Sequence, residues 1–99
     1  MKALGGLKVS SLTYDQLVKI CEEAEEAARR RILSEVSQRK ISDLNITVDA
    51  EGGETLTITV DVELTLSPTA HNVDVKSLTD EAVRAAFESI ERSLRDRKG

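Results

Sequence analysis

The stretch Glu54-Thr-Leu-Thr-Ile-Thr-Val-Asp-Val-Glu-Leu-Thr-Leu66 decides the fold. Leu56, Ile58, Val60, Val62, Leu64 and Leu66 alternate without a break with Thr55, Thr57, Thr59, Asp61, Glu63 and Thr65. A period of two sends successive side chains to opposite faces, so this segment predicts a β-strand with one dry face and one wet face. Just upstream, Ile41 to Asp49 repeats the pattern, with Leu44, Ile46 and Val48 on one face and Asn45, Thr47 and Asp49 on the other. Ala50-Glu-Gly-Gly-Glu54 is the turn between them.

Parity constrains that turn. Directly opposed residues of an antiparallel pair share a face, and both strands carry their apolar residues at even numbers. A two-residue Gly-Gly loop would set Asp49 opposite Leu56 and put a charge on the dry face. A three-residue loop over Glu51-Gly52-Gly53 restores the match, opposing Val48 to Leu56 and Ile46 to Ile58; a shift of the loop by one residue serves equally well. Such loops need a left-handed residue, which a glycine supplies. In this register the second strand outruns the first, leaving Leu64 to Leu66 without a partner before Ser67-Pro68 stops it.

A helix precedes the hairpin. Thr13 with Gln16 three residues later forms a capping box, and Leu12 with Leu17 forms a hydrophobic staple. Leu17, Ile20, Cys21, Ala24, Ala27, Ala28, Ile32 and Val36 recur at helical spacing. The alanines in the middle of this stripe mark a close approach by a neighbouring element. Glu25–Arg29 and Glu26–Arg30 are i,i+4 pairs in the favourable order. The helix should end near Ser37 to Lys40. A second helix follows the hairpin, with Val83, Ala86, Phe87, Ile90 and Leu94 as its buried stripe. It starts either at Val75 with Asp74 as cap, or at Asp80 with Thr79 as cap. Residues 1–11 read as an N-terminal tail, because Gly5-Gly6 breaks regular structure, although Leu7 and Val9 suit a short edge strand.

The order is therefore α-β-β-α, an α+β domain over residues 12–99 with both helices on one face of a long antiparallel hairpin. A two-stranded sheet is marginal alone. Its unpaired strand end and wide aliphatic face favour a homodimer that shares or extends the sheet.

Composition narrows the function classes. Ninety-nine residues make one domain. Tyr14 and Phe87 are the only aromatic residues, which argues against stacking platforms for single-stranded nucleic acid. No apolar run approaches the roughly 18 residues a membrane span needs. The start Met-Lys-Ala-Leu-Gly-Gly-Leu is too broken for a secretory signal. Cys21 stands alone and suits a reducing compartment, so a cytoplasmic protein is expected. The charged fraction of 32% resembles that of thermophile proteins.

The net charge of −4 is unevenly spread. Residues 41–81 hold one lysine against nine acidic residues, whereas residues 29–40 hold five basic residues against Glu35. Arg29, Arg30, Arg31, Arg39 and Lys40 are thus the candidate contacts for RNA or for a partner, with Arg92, Arg95, Arg97 and Lys98 as a second basic cluster. The plainer reading is that cations in the last turns complement the helix dipole. Antiparallel packing of the helices would separate the two clusters.

Other residues carry weaker signals. His71 lies near Asp74, but no nucleophile or second base accompanies it, and one Cys with one His cannot make a zinc site. Cys21 falls on the apolar stripe, where Glu22 and Glu25 would raise its pKa. Asp49, Glu51, Glu54, Asp61 and Glu63 lack the EF-hand spacing, and solvation with edge protection explains them. Gly52-Gly53 is turn chemistry, with no phosphate-loop fingerprint around it. No catalytic residue and no cofactor is expected.

Three segments together resemble a known family: Ile20-Cys-Glu-Glu-Ala-Glu-Glu-Ala-Ala-Arg-Arg30, the paired strands ending in Leu66-Ser-Pro68, and Leu78-Thr-Asp-Glu-Ala-Val-Arg-Ala-Ala86. The family is archaeal, its members are of about 100 residues, one domain in size, and their function is not established. Its members tend to be encoded near the prefoldin β subunit and near translation and tRNA-modification genes. The resemblance implies a role around protein folding or RNA metabolism and supplies no catalytic residues. Prefoldin β subunits also run helix–hairpin–helix, but this chain lacks their sustained heptads. A non-enzymatic interaction or adaptor protein is the leading expectation, and an RNA-associated protein using the basic helix ends is the alternative.

Overall fold

The computed structural model describes residues 1–10 and 12–96. The elements run β1 (Lys2–Ser10), α1 (Tyr14–Leu33), a 3-10 turn (Gln38–Lys40), β2 (Ile41–Gly52), β3 (Thr55–Leu66) and α2 (Val75–Asp96). The three strands form one antiparallel sheet in the order β1-β3-β2. The architecture is α+β with the expected hairpin and two helices, plus one strand.

That strand corrects the reading of residues 1–11 as a tail. Lys2 to Ser10 pair with Glu63 to Thr55 along the whole of β3. Gly5-Gly6 does not break the strand. Gly5 sits beneath the second helix, where an added Cβ would lie 2.6 Å from Phe87 Cε2 and 3.0 Å from Val83 Cγ1. The missing side chain is what lets the Phe87 ring rest on the sheet. Gly6 faces open space by comparison, its nearest neighbour being the Ile58 carbonyl at 3.9 Å.

The hairpin keeps the expected parity but not the expected register. Val48 opposes Val60 and Gly52 opposes Leu56, so the three-residue loop is Gly53-Glu54-Thr55. Gly52 fixes this choice. Its φ of 126° is closed to residues with a side chain, and a Cβ there would collide with the Thr55 carbonyl oxygen. With the loop moved toward β3, Ile41 pairs with Leu66 across a bulge at Ser42, and the β3 end is no longer unpartnered. The homodimer expectation draws on a two-stranded sheet, a free strand end and a wide aliphatic face; β1 and this register supply the first two within the chain, and the aliphatic residues of β2 stay half-buried.

Both helices cover the dry face. α1 lies over β2, and α2 over β1 and β3. Ile58, Val60, Val62 and Leu64 of the central strand are buried, as are Ile20, Ala24, Ala28 and Ile32 of α1 and Leu78, Ala82, Ala86 and Ile90 of α2. The helices are antiparallel neighbours, since Glu23 meets Ser93 at one end and Arg31 meets Glu81 at the other. Alanines at the seam permit that closeness, as their spacing predicts.

The α1 start matches the capping box: Gln16 N donates to Thr13 Oγ1 at 3.2 Å and Thr13 N donates to Gln16 Oε1 at 3.0 Å. Its end comes earlier than expected, at Leu33. Ser34 Oγ donates to the Arg31 carbonyl at 2.6 Å and Glu35 N donates to the Ile32 carbonyl at 3.1 Å. This tighter turn drops Val36 into the core. For α2 the earlier start holds. Asp74 accepts from Ser77 N at 3.1 Å and from Ser77 Oγ at 2.9 Å. Thr79 is inside the helix and buried, its hydroxyl 3.0 Å from the Val75 carbonyl to which it donates.

Two outcomes follow from these positions. Gly5→Ala should lower stability by about 1–3 kcal/mol through overpacking against Phe87, while Gly6→Ala stays within about 0.5 kcal/mol of the parent; paired urea titrations read both. The Ser77 hydrogen bonds hold the Asp74 carboxyl below its ordinary pKa, with the backbone amide the larger cause. Because the folded value is the lower one, the cap is at full strength above the unfolded carboxylate pKa and fades as pH falls through the folded value. Asp74→Asn keeps a capping oxygen without the charge. The difference in urea midpoint between parent and Asp74→Asn should therefore narrow or reverse from about pH 5 to about pH 2.

Candidate functional site

The five basic candidates sit together at the end of α1 and on the 3-10 turn. Three of them are already engaged. Arg29 lies 3.6 Å from Glu25, and Arg30 lies 2.6 Å from Glu26. Arg31 meets Glu35 at 3.0 Å and Ser34 Oγ at 2.7 Å, and also bonds Glu81 of α2. These bonds to Glu35 and Glu81 raise the Arg31 pKa further above its ordinary value. Arg31 is thus a clamp between the helices. The local pairs are visible in the i,i+4 spacing; Glu81 is fifty residues away and carries no sequence signal. Arg39 and Lys40 are exposed on the turn, and no carboxylate lies within 4.0 Å of either among the described residues.

Antiparallel packing places Arg92 and Arg95 toward the opposite end of the helix pair; Arg97 and Lys98 lie outside the described residues. Between the helices runs an open groove of about 600 Å³. Its floor is small (Ala27, Ala85, Ser89) and its walls mix Arg30 and Arg92 with Glu26 and Glu88. That mixture carries no single charge preference.

The opposite character appears on the sheet. Between Ile41 and Leu66 there are six acidic residues and no lysine or arginine. On the wet face Asp43, Asn45, Thr47, Asp49 and Glu51 of β2 are exposed. Lys2 of β1 reaches Asp61 Oδ2 at 3.2 Å and offsets one of these charges. β2 is an edge strand, twelve residues long, and among the described residues nothing pairs with its outer side. Its dry-face residues Leu44, Ile46, Val48 and Ala50 are only half-buried, whereas their β3 opposites Leu64, Val62, Val60 and Ile58 are buried. The exposed apolar side chains include Tyr14 and Val18 on α1, the helix above that edge.

Cys21 is half-buried on α1. Burial, then the Asp49 charge, pushes its thiol pKa up, so the charge partner lies on β2 and not in the flanking helix turn. A raised thiol pKa keeps the nucleophilic thiolate scarce. His71 is exposed in the loop before α2. Among the described residues no three His, Cys, Asp or Glu side chains converge to hold a metal ion, and no helix is long and apolar enough to cross a membrane.

With that geometry in place, comparison with known proteins gives a consistent result. Residues 9–93 match a family model described as a protein of unknown function, DUF3194. The chain belongs to this family. An uncharacterized protein of Thermococcus kodakarensis is 31% identical over 85 residues, spanning 86% of this chain and 78% of that one. An uncharacterized protein of Pyrococcus horikoshii is 30% identical over 95 residues, 96% of this chain and 81% of its own. Among solved structures, a crystal structure from Thermococcus onnurineus superposes with a TM-score of 0.81 at 28% identity, covering 99% of this chain and 96% of that one. The solution structure of a hypothetical protein from Methanothermobacter thermautotrophicus gives 0.75 at 31% identity, covering 89% and 94%. The DUF3194 chain thus shares its fold with archaeal relatives.

The Arg31 clamp makes its own prediction. Arg31→Ala and Glu81→Ala should each lower the Tm at low ionic strength, and the double variant should lose less than the sum. Near 1 M salt, where the screening length falls to about 3 Å, that coupling should vanish.

Proposed function

We propose that this protein is a non-enzymatic interaction protein, an adaptor of the archaeal cytoplasm that receives a protein partner on the edge of β2. One observation carries the reading: a twelve-residue edge strand with an uncovered hydrogen-bonding side, half-buried aliphatics and an acidic rim. Long edges of this kind are templates for strand addition unless something covers them. The family resemblance, with its gene neighbourhood near prefoldin β and translation genes, points to folding or translation machinery as the setting.

A second reading keeps RNA as the ligand. Its support is Arg39 and Lys40, exposed side by side on the 3-10 turn. The neutralised Arg29, Arg30 and Arg31 contribute less than their sequence suggests, because phosphate would have to displace carboxylates already in contact.

Site-specific photo-crosslinking in host lysate separates these. A photoreactive residue replacing Asn45 on β2 should capture a defined protein that survives ribonuclease; the same residue at Ser89 in the helix groove should not. Crosslinks that vanish with ribonuclease, or with Arg39→Glu and Lys40→Glu together, would transfer the function to RNA.

A further inference from the structure

Widths decide what fits beside β2. Strands lie about 4.8 Å apart, so three strands are about 14 Å wide. Two packed helices, about 8–10 Å between axes and about 10 Å across, need about 18–20 Å. The helix layer is therefore wider than the sheet by roughly one strand. α2 packs on β1 and β3, and α1 packs chiefly on β2, which places the surplus over the β2 edge. The exposure pattern agrees. The flank of α1 that faces α2 carries Glu23, Ala27 and Arg31; the other flank, by helical spacing, carries Tyr14, Val18 and Cys21. Tyr14 is 79% and Val18 39% exposed, and Leu44, Ile46 and Val48 of β2 are half-buried.

We propose that the β2 edge takes a single added strand beneath α1, supplied by a protein partner as an extended segment that alternates aliphatic residues with lysine or arginine. This rests on the interaction reading above and specifies its ligand. The period follows from the sheet: alternate side chains would lie against Leu44, Ile46 and Val48, and the others beside Asp43, Asp49 and Glu51. The sign follows from the charge, since residues 41–66 hold six carboxylates and no cation of their own.

A second copy of this chain fits less well. Antiparallel β2–β2 pairing sets one acidic rim against another, and each copy brings an α1 that already overhangs the edge. Head-to-tail addition of β1 offers Lys2 and Lys8, but it brings α2 into the space α1 occupies. A lone strand carries no helix of its own.

The test uses a synthetic peptide as long as β2 that alternates valine with lysine, and its counterpart with glutamate for lysine. Calorimetry measures affinity and amide hydrogen exchange locates the site, with the parent chain and the exposed-residue variant Asp43→Lys, Asp49→Lys, Glu51→Lys. The lysine peptide should bind the parent and slow exchange along Ile41–Gly52. The triple variant should lose about tenfold or more in affinity for it and gain for the glutamate peptide, as complementary rims require. Equal binding of the two peptides, or protection elsewhere in the chain, overturns the proposal. So does β2 protection without peptide that grows with protein concentration, which would assign the edge to a second copy. If neither peptide binds while the Asn45 crosslink persists, the strand chemistry is wrong and the interaction reading stands; loss of the crosslink removes the reading itself.

Discussion

Burial of Ile58, Val60, Val62 and Leu64 beneath the helix pair is the contact from which the rest of the molecule is built. These four side chains come from one strand, and that strand is central because β1 and β2 pair on either side of it. A central strand covered on one face by two helices must draw those helices close. The alanines at 24, 28, 82 and 86 allow this, and each is completely buried. The cost of drawing the helices together over three strands is uneven coverage. α2 straddles two strands, with Phe87 lowered onto Gly5. α1 packs chiefly on β2, and the dry face on that side stays half-open.

Local signals in the sequence were reliable where the physics is local. The Thr13–Gln16 cap, the i,i+4 pairs of α1 and the alternation of β2 and β3 involve residues a few positions apart, and each appears in the structure as read. What failed was decided at a distance. Gly5-Gly6 looks like a break because a glycine pair weakens any element by itself. Its meaning depends on an aromatic ring 82 positions away. The hairpin parity was legible, since it needs only the face each residue prefers. The register was not, because choosing among loops of equal parity depends on which glycine takes the left-handed conformation, and Gly52 and Gly53 are chemically identical.

The same distinction applies to the candidate site. Arg29, Arg30, Arg31, Arg39 and Lys40 are contiguous enough for a basic cluster to be read directly, and the structure keeps them together. Their availability was not legible, because Glu81 reaches Arg31 from the other helix. Conversely, the acidic character of residues 41–66 is plain in the sequence, but the place of Asp43, Asp49 and Glu51 on an open edge is not. Strand order had to be known first, and strand order depends on β1, the element that reads as a tail.

The acidic rim of β2 admits a protective account: charges on an edge discourage pairing with arbitrary strands. Protection and recognition are not alternatives here, because they are the same electrostatic preference applied to different strands. Asp43, Asp49 and Glu51 repel another β2, an acidic strand or a phosphate backbone, and each repulsion narrows the set of partners. What protection alone leaves unaccounted for is the dry side. An edge built only to be avoided has no need of Leu44, Ile46 and Val48 half-open, since burying them would stabilise the domain at about 25 cal/mol per Å² of apolar surface. Along the β2 edge the fold forgoes this burial, and an added strand of the proposed kind would supply it.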